Sequence, residues 1–180
     1  MVGVLFDTLS RSFGETIYET QFKSKLIPFL VQAMRDLVSN NLKETSIPKI
    51  GSFLETNIVP ICARDLLEEN RTLLMCLVIK EIALQLERRL NSQRWSGEII
   101  ELLEKDYRRL SAYLAEQSEL QSKEILLRVT FYFNILSCET SEEALLFCTP
   151  TMRTNGSSVL GEAEVRRIIE LRSDWPDNKM

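Results

Sequence analysis

The 180-residue sequence contains no histidine. Histidine is the most common general base in enzymes, the most common metal ligand and the side chain that titrates near neutral pH. Its absence argues against those forms of catalysis and metal binding. We therefore expect a protein that is not an enzyme and that uses no cofactor and no metal.

Glycine and proline are also scarce, with six and five residues respectively. The glycines do not occur in either of the spacings that cradle nucleotide phosphates, so the sequence does not favour a nucleotide-binding protein. Few glycines and prolines also mean few tight turns. This composition is typical of long helices rather than of a many-stranded β fold.

Long apolar runs are missing as well. The longest unbroken run, residues 73–79, has seven residues and is too short to span a bilayer. The N-terminal sequence up to Asp7 lacks the basic region of a signal peptide. We therefore expect a soluble protein of the cytoplasm or nucleus that makes no contact with membranes.

The net charge of −4 gives the chain no excess of positive charge. Basic pairs occur, as at Arg88-Arg89 and Arg166-Arg167, but acidic residues are mixed with them. This balance does not favour direct binding of nucleic acid. Apolar residues make up 44% of the chain, which is enough for a folded core, and we expect the partner to be another protein.

The four cysteines are spread along the chain at Cys62, Cys76, Cys138 and Cys148. None forms the close pair that structural zinc sites use. Each lies in or beside an apolar stretch, where free cysteine behaves as a small core residue. We expect structural thiols and no metal ligands.

Apolar residues recur at intervals of three or four along most of the chain, which indicates amphipathic helices. The segment 73–79 is apolar on every face and should be buried. We predict an all-α fold, a single compact bundle of about seven to nine helices around a buried central helix at 71–90. The next helix, from about 97 to 115, carries a clear apolar stripe: Ile99, Leu103, Tyr107, Leu110 and Leu114.

For two segments, the sequence is compatible with more than one secondary structure. In 121–136, the alternation of apolar residues fits a strand, and apolar residues at helical spacing fit a helix equally well. A lone strand would have no partner for its backbone groups, so we predict a helix. Pro28 either lies in the first turn of a helix that starts near Ile27 or kinks a longer helix.

The domain organisation follows from the polar breaks. We expect a helical bundle over 1–148, a mobile loop over 149–159, a C-terminal helix of the same domain over 160–172, and a polar tail over 173–180. Thr149 precedes Pro150 in the loop, which makes it a candidate phosphorylation site or, alternatively, ordinary loop punctuation.

Parts of the sequence resemble two helical architectures. Ile27-Pro28-Phe29 followed by Arg35-Asp36-Leu37, and Val59-Pro60-Ile61 followed by Arg64-Asp65-Leu66, resemble HEAT-type helical hairpins at a shorter repeat. A bundle around a very apolar helix resembles the Bcl-2 architecture. The Asn-Trp-Gly-Arg motif of that family is absent, and Arg94-Trp95-Ser96-Gly97 is not a credible substitute for it. We assign no family from the sequence.

The surplus of apolar helical faces favours a non-catalytic subunit or adaptor of an intracellular complex, either a hetero-complex or a homo-oligomer. The terminal helices are the candidate interfaces because aromatic anchors dominate such contacts. The predicted contact residues are Phe6, Leu9, Phe13, Val165, Ile169 and Trp175. The alternatives are a Bcl-2-like regulator with a peptide-binding groove and a small helical enzyme.

Overall fold

The apolar spacing folds into helices throughout the part of the chain that the computed structural model describes, residues 15–37, 45–60, 68–117, 119–148 and 160–175. That part contains no strand, which confirms the all-α prediction. A π-helical segment at Tyr18–Phe22 and a 3-10 turn at Leu146–Cys148 accompany the α-helices. These are α1 (Lys23–Arg35), α2 (Ile47–Asn57), α3 (Glu68–Leu90), α4 (Gly97–Gln117), α5 (Glu119–Leu136), α6 (Ser141–Leu145) and α7 (Glu162–Ile169).

Helix α3 lies at the centre of the bundle, as its composition predicts. It packs against α1 on one side and α5 on another, so several of its faces meet other helices. A helix in that position must be apolar around most of its circumference. Its fully apolar stretch is largely buried, through Leu74, Met75, Cys76, Val78 and Ile79.

The segment with two possible structures is helical. Helix α5 spans Glu119–Leu136 and packs against α3, α4 and α7. It contacts α4 through the rings of Phe133 and Tyr107, which stack with their centroids 4.6 Å apart. The strand-like alternation arises because α5 meets helices on several sides, so apolar residues occur on more than one of its faces.

Helix α1 continues through Pro28, so of the two alternatives for this residue the longer helix holds and a helix start near Ile27 does not. The ring of Phe29 in this helix stacks on Phe53 of α2 at 4.0 Å between centroids. Helix α2 begins with Pro48 in its first turn, where a missing backbone N–H costs nothing. The second HEAT-like segment lies partly outside the described residues.

Helix α7 packs against α5 and α6 and ends at Ile169, three residues before the predicted end. The chain leaves the helix there because Arg172 pairs with Trp95 in an isolated parallel bridge. The predicted loop 149–159 lies outside the described residues. Within those that are described, no helix is both long enough and apolar enough to cross a membrane.

Candidate functional site

One arginine connects three helices at the surface of the bundle. The Nε of Arg128 in α5 donates to both carboxylate oxygens of Glu87 in α3, each at 3.0 Å. Its Nη2 donates to Glu164 in α7. Tyr132, one turn along α5, donates its hydroxyl proton to Glu164 at 3.2 Å and accepts a hydrogen bond from Asn91 at 3.0 Å. The network therefore fixes α3, α5 and α7 relative to one another.

The two carboxylates set the protonation states within this network. Burial lowers the pKa of Arg128, but the hydrogen bond that it donates to Glu87 and the charges of Glu87 and Glu164 outweigh burial, so the pKa is raised. Burial raises the pKa of Tyr132, and the same two carboxylates raise it further. The arginine therefore stays charged and the tyrosine neutral. Neither shift prepares a group for proton transfer near neutral pH.

This network forms one wall of a cleft of about 580 Å³ between α3, α5 and α7. Leu84 lies at this cleft with 41% of its surface exposed, although it is a large apolar residue. The full lining is Leu84, Glu87, Arg88, Asn91, Arg128, Tyr132, Ala163, Glu164 and Arg167. The cleft thus combines an apolar contact with charged side chains.

A second cleft, of about 280 Å³, lies between α1 and α3. Arg88 lines both clefts, so the two are neighbours, and we refer to them together as the double cleft. Val31 lies at the second cleft with 41% of its surface exposed. The lining of this cleft is Val31, Met34, Arg35, Gln85, Arg88, Arg89 and Ser92. We take the double cleft as the candidate functional site.

The C-terminal residues form a second polar cluster, on a different part of the bundle. Arg172 is buried and donates to the backbone oxygens of Leu136 and Cys138. It also pairs with Asp174, at 2.8 Å from Nε to Oδ1. Asp174 in turn accepts a hydrogen bond from the backbone N–H of Gly97, the first residue of α4, at 3.0 Å. We call residues 172–174 together with Gly97 the C-terminal clasp.

The predicted contact residues of the C-terminal region lie mostly in the core. Val165 is 1% exposed, which leaves its side chain no surface to offer a partner, so a partner contact at this residue does not fit the structure. Ile169 and Trp175 are half-buried and pack against the core. On the same helix, Ala163 and Arg167 face the double cleft instead. Phe6, Leu9, Phe13 and Thr149 lie outside the described residues.

Of the cysteines, Cys76 and Cys138 are buried, as expected of structural thiols. Burial raises the pKa of Cys138 to about 11, and the charge of Glu143 adds to the rise. A thiol with that pKa is protonated and unreactive at neutral pH. Within the described residues, no group of acidic or thiol side chains is arranged to hold a metal ion.

Comparison with known proteins identifies the family of this chain. The family model described as conserved oligomeric Golgi complex subunit 4, C-terminal, matches residues 5–167. The chain belongs to this family. Conserved oligomeric Golgi complex subunit 4 of Caenorhabditis elegans is 28% identical to it over 114 residues. The match covers 62% of this chain but only 14% of the length of that relative.

Membership in the Golgi complex family decides between the functional predictions. The family is named for a subunit of an oligomeric complex, which confirms the prediction of a complex subunit over a Bcl-2-like regulator. The prediction of a cytoplasmic or nuclear location is wrong, because the family and the nematode relative are both named for a Golgi complex. Composition alone could not reveal this, since association with an organelle through a complex requires no targeting segment in the chain itself.

Proposed function

We propose that this chain acts as part of a non-catalytic subunit in a hetero-oligomeric complex at the Golgi. The observation that carries the proposal is the family match over residues 5–167, which includes every residue that lines the double cleft. The match spans 14% of the nematode relative, so we expect the chain to carry out only a part of the function of such a subunit. The partners we expect are the other subunits of such a complex.

The form of the double cleft supports a binding role for this domain. Arg128 fixes the three helices of the first cleft through Glu87 and Glu164, so the shape of the surface is set before a partner arrives. A preformed surface loses less conformational entropy on binding than a flexible one. The charged side chains of this network hydrogen-bond to one another, as expected for a scaffold. We propose no catalytic step for this chain.

The N-terminal residues Phe6, Leu9 and Phe13 remain part of the proposal as a second contact with a partner. Ile169 and Trp175 remain candidates through their exposed portions, and Thr149 remains a candidate for phosphorylation. The division of the chain at 148 and 160 also remains a prediction. These assignments rest on the sequence pattern alone.

The proposal is tested by locating the protein in its own cells and by identifying the proteins that bind it there. An epitope-tagged protein should overlap with a Golgi marker in microscopy, and immunoprecipitation should recover subunits of an oligomeric Golgi complex. Phe133→Asp should abolish recovery because Phe133 is 1% exposed and its charged replacement would unfold the bundle. Lys105→Glu, at an exposed position of α4, should leave recovery intact. A tagged protein spread through the cell with no such subunits would contradict the proposal.

A further inference from the structure

The double cleft carries a charge opposite to that of the whole chain. Five arginines and two glutamates line it, so its local net charge is +3, whereas the chain carries −4. The two glutamates, Glu87 and Glu164, both pair with Arg128. Both glutamates line the first cleft, and no carboxylate is among the described residues that line the second.

Three of the five arginines have no partner of their own. Arg35, Arg88 and Arg167 are exposed, and none makes an ion pair or a hydrogen bond in the part of the chain that the structure describes. They come from α1, α3 and α7, so three separate helices each present a cation to the same surface. Other exposed arginines, such as Arg108 and Arg166, pair with a glutamate one turn away.

A fourth arginine has its charge only partly satisfied. Arg89 bonds to Ser92 at 2.9 Å and lies 5.3 Å from the centre of the Trp95 ring. Its Nε is buried and has no hydrogen-bond partner among the described residues. Arg89 also lines the second cleft, so its charge adds to the positive potential of that surface.

The apolar residues of the same surface define the shape of the partner. Val31 and Leu84 are two of the three large hydrophobic residues that are exposed among the described ones, and each lines one half of the double cleft. Leu84 and Arg88 lie one turn apart on α3, so an apolar contact and a cation are presented side by side. An amphipathic helix offers the matching arrangement of apolar and charged rows.

We propose that the double cleft binds an acidic amphipathic helix of another protein, and this inference rests on the proposed role in a complex. The apolar row of that helix contacts Val31 and Leu84, and its carboxylates pair with Arg35, Arg88 and Arg167. A membrane of anionic lipid fits less well, because Arg88 and Arg167 line a cleft between three helices whereas a bilayer is flat.

The experiment measures fluorescence anisotropy of a labelled synthetic helix of about 18 residues, with leucine on one face and glutamate on the other. The matched peptide carries lysine in place of glutamate. We expect the full chain to bind the glutamate peptide and not the lysine peptide, with binding that weakens as salt rises. Arg88→Glu and Arg167→Glu should each raise the Kd about tenfold.

Two controls separate binding from folding and from bulk charge. Lys105→Glu makes the same change in net charge on α4, outside the double cleft, and should leave the Kd unchanged. Arg88→Gln removes the cation without placing a new carboxylate beside Glu87 and should show an intermediate loss. Each variant should unfold at the temperature of the wild-type chain within about 2 °C, since surface substitutions change stability little.

Three outcomes would overturn the inference: equal binding of the two peptides, equal effects of Lys105→Glu and Arg88→Glu, or no binding of the glutamate peptide. Binding to vesicles of phosphatidylcholine and phosphatidylserine without binding to the peptide would assign the double cleft to a membrane and also overturn it. If the chain recovers Golgi complex subunits but does not bind the glutamate peptide, this inference is contradicted and the proposed function is not. If the chain binds the peptide but recovers no such subunits, the proposed function is contradicted and this inference is not.

Discussion

The Nε of Arg128 lies 3.0 Å from the carboxylate of Glu87, although 41 residues separate the two in the sequence. The same guanidinium contacts Glu164 from the opposite side. Isolated surface ion pairs contribute little to stability, because water competes with them and their side chains lose freedom. Here one arginine forms ion pairs with two glutamates on different helices. Its loss would leave two negative charges near each other without a cation between them.

Replacing Arg128 with glutamine should therefore destabilise the fold. We expect a loss of about 1–2 kcal/mol in the free energy of unfolding, measured by urea titration. The estimate is modest because 41% of the Arg128 side chain is exposed to solvent. The control is Arg108→Gln, which removes an exposed pair with Glu104 inside a single helix and should cost at most about 0.5 kcal/mol. Equal losses in the two variants would show that Arg128 does not connect the helices.

The C-terminal clasp predicts opposite effects for two glycine substitutions. In Gly97→Ala, the new Cβ would lie 2.8 Å from Arg172 Nη2 and 2.9 Å from Asp174 Oδ2, so the clasp must open or shift. We expect a loss of about 1–2 kcal/mol. In Gly51→Ala, the new Cβ in α2 meets no atom within 4 Å, and we expect a gain of about 0.5–1 kcal/mol. Thermal unfolding of both variants checks this, and a stabilising Gly97→Ala would exclude a tight clasp.

Asp174 should make the stability of the bundle depend on acid pH. The hydrogen bond from Arg172 holds the pKa of Asp174 at about 2, below its usual value of 3.8, and the Gly97 N–H also contributes. A carboxylate whose pKa falls on folding stabilises the protein above its unfolded pKa and loses that effect as the pH falls through the folded value. Wild type should therefore be more stable than Asp174→Asn at pH 5, and the difference should shrink as the pH falls toward 2. A difference in unfolding free energy that stays constant over this range would contradict the pairing.

The two tryptophans should differ in their response to the same substitution. Trp95 is 1% exposed, and its indole N–H donates to the Leu90 carbonyl at 2.8 Å. Trp95→Phe removes this hydrogen bond and leaves a cavity, so we expect a loss of about 2–3 kcal/mol in urea unfolding. Trp175→Phe should cost less, because the indole N–H of Trp175 has no hydrogen-bond partner among the described residues and the residue is half-buried. A larger loss at Trp175 would contradict the described packing.

The sequence predicted those helices whose signals are local. The apolar stripe of α4 lies within one element, and the structure reproduces it. Trp95 follows four polar residues in the sequence, yet it is buried, because its backbone pairs with that of residues 171 and 173. Contacts between residues so far apart leave no periodic signal in the chain.

The candidate site was missed for the same reason. Arg128 and Glu164 appear in the sequence as ordinary charges on helical faces, and only the packing of α5 against α7 brings them together. A glutamate and an arginine 36 residues apart have no spacing rule that would pair them. One signal is present in the sequence, since Arg88 lies in a basic pair and has no acidic residue three or four positions away.

The most direct test of a role in a complex is the native mass of the protein, purified gently from its own cells, with co-eluting chains identified. We predict an assembly much heavier than the 20.8 kDa of this chain, with other subunits of an oligomeric Golgi complex present in fixed ratios. A protein that elutes without any other chain, at the mass of a monomer, would contradict the proposed function.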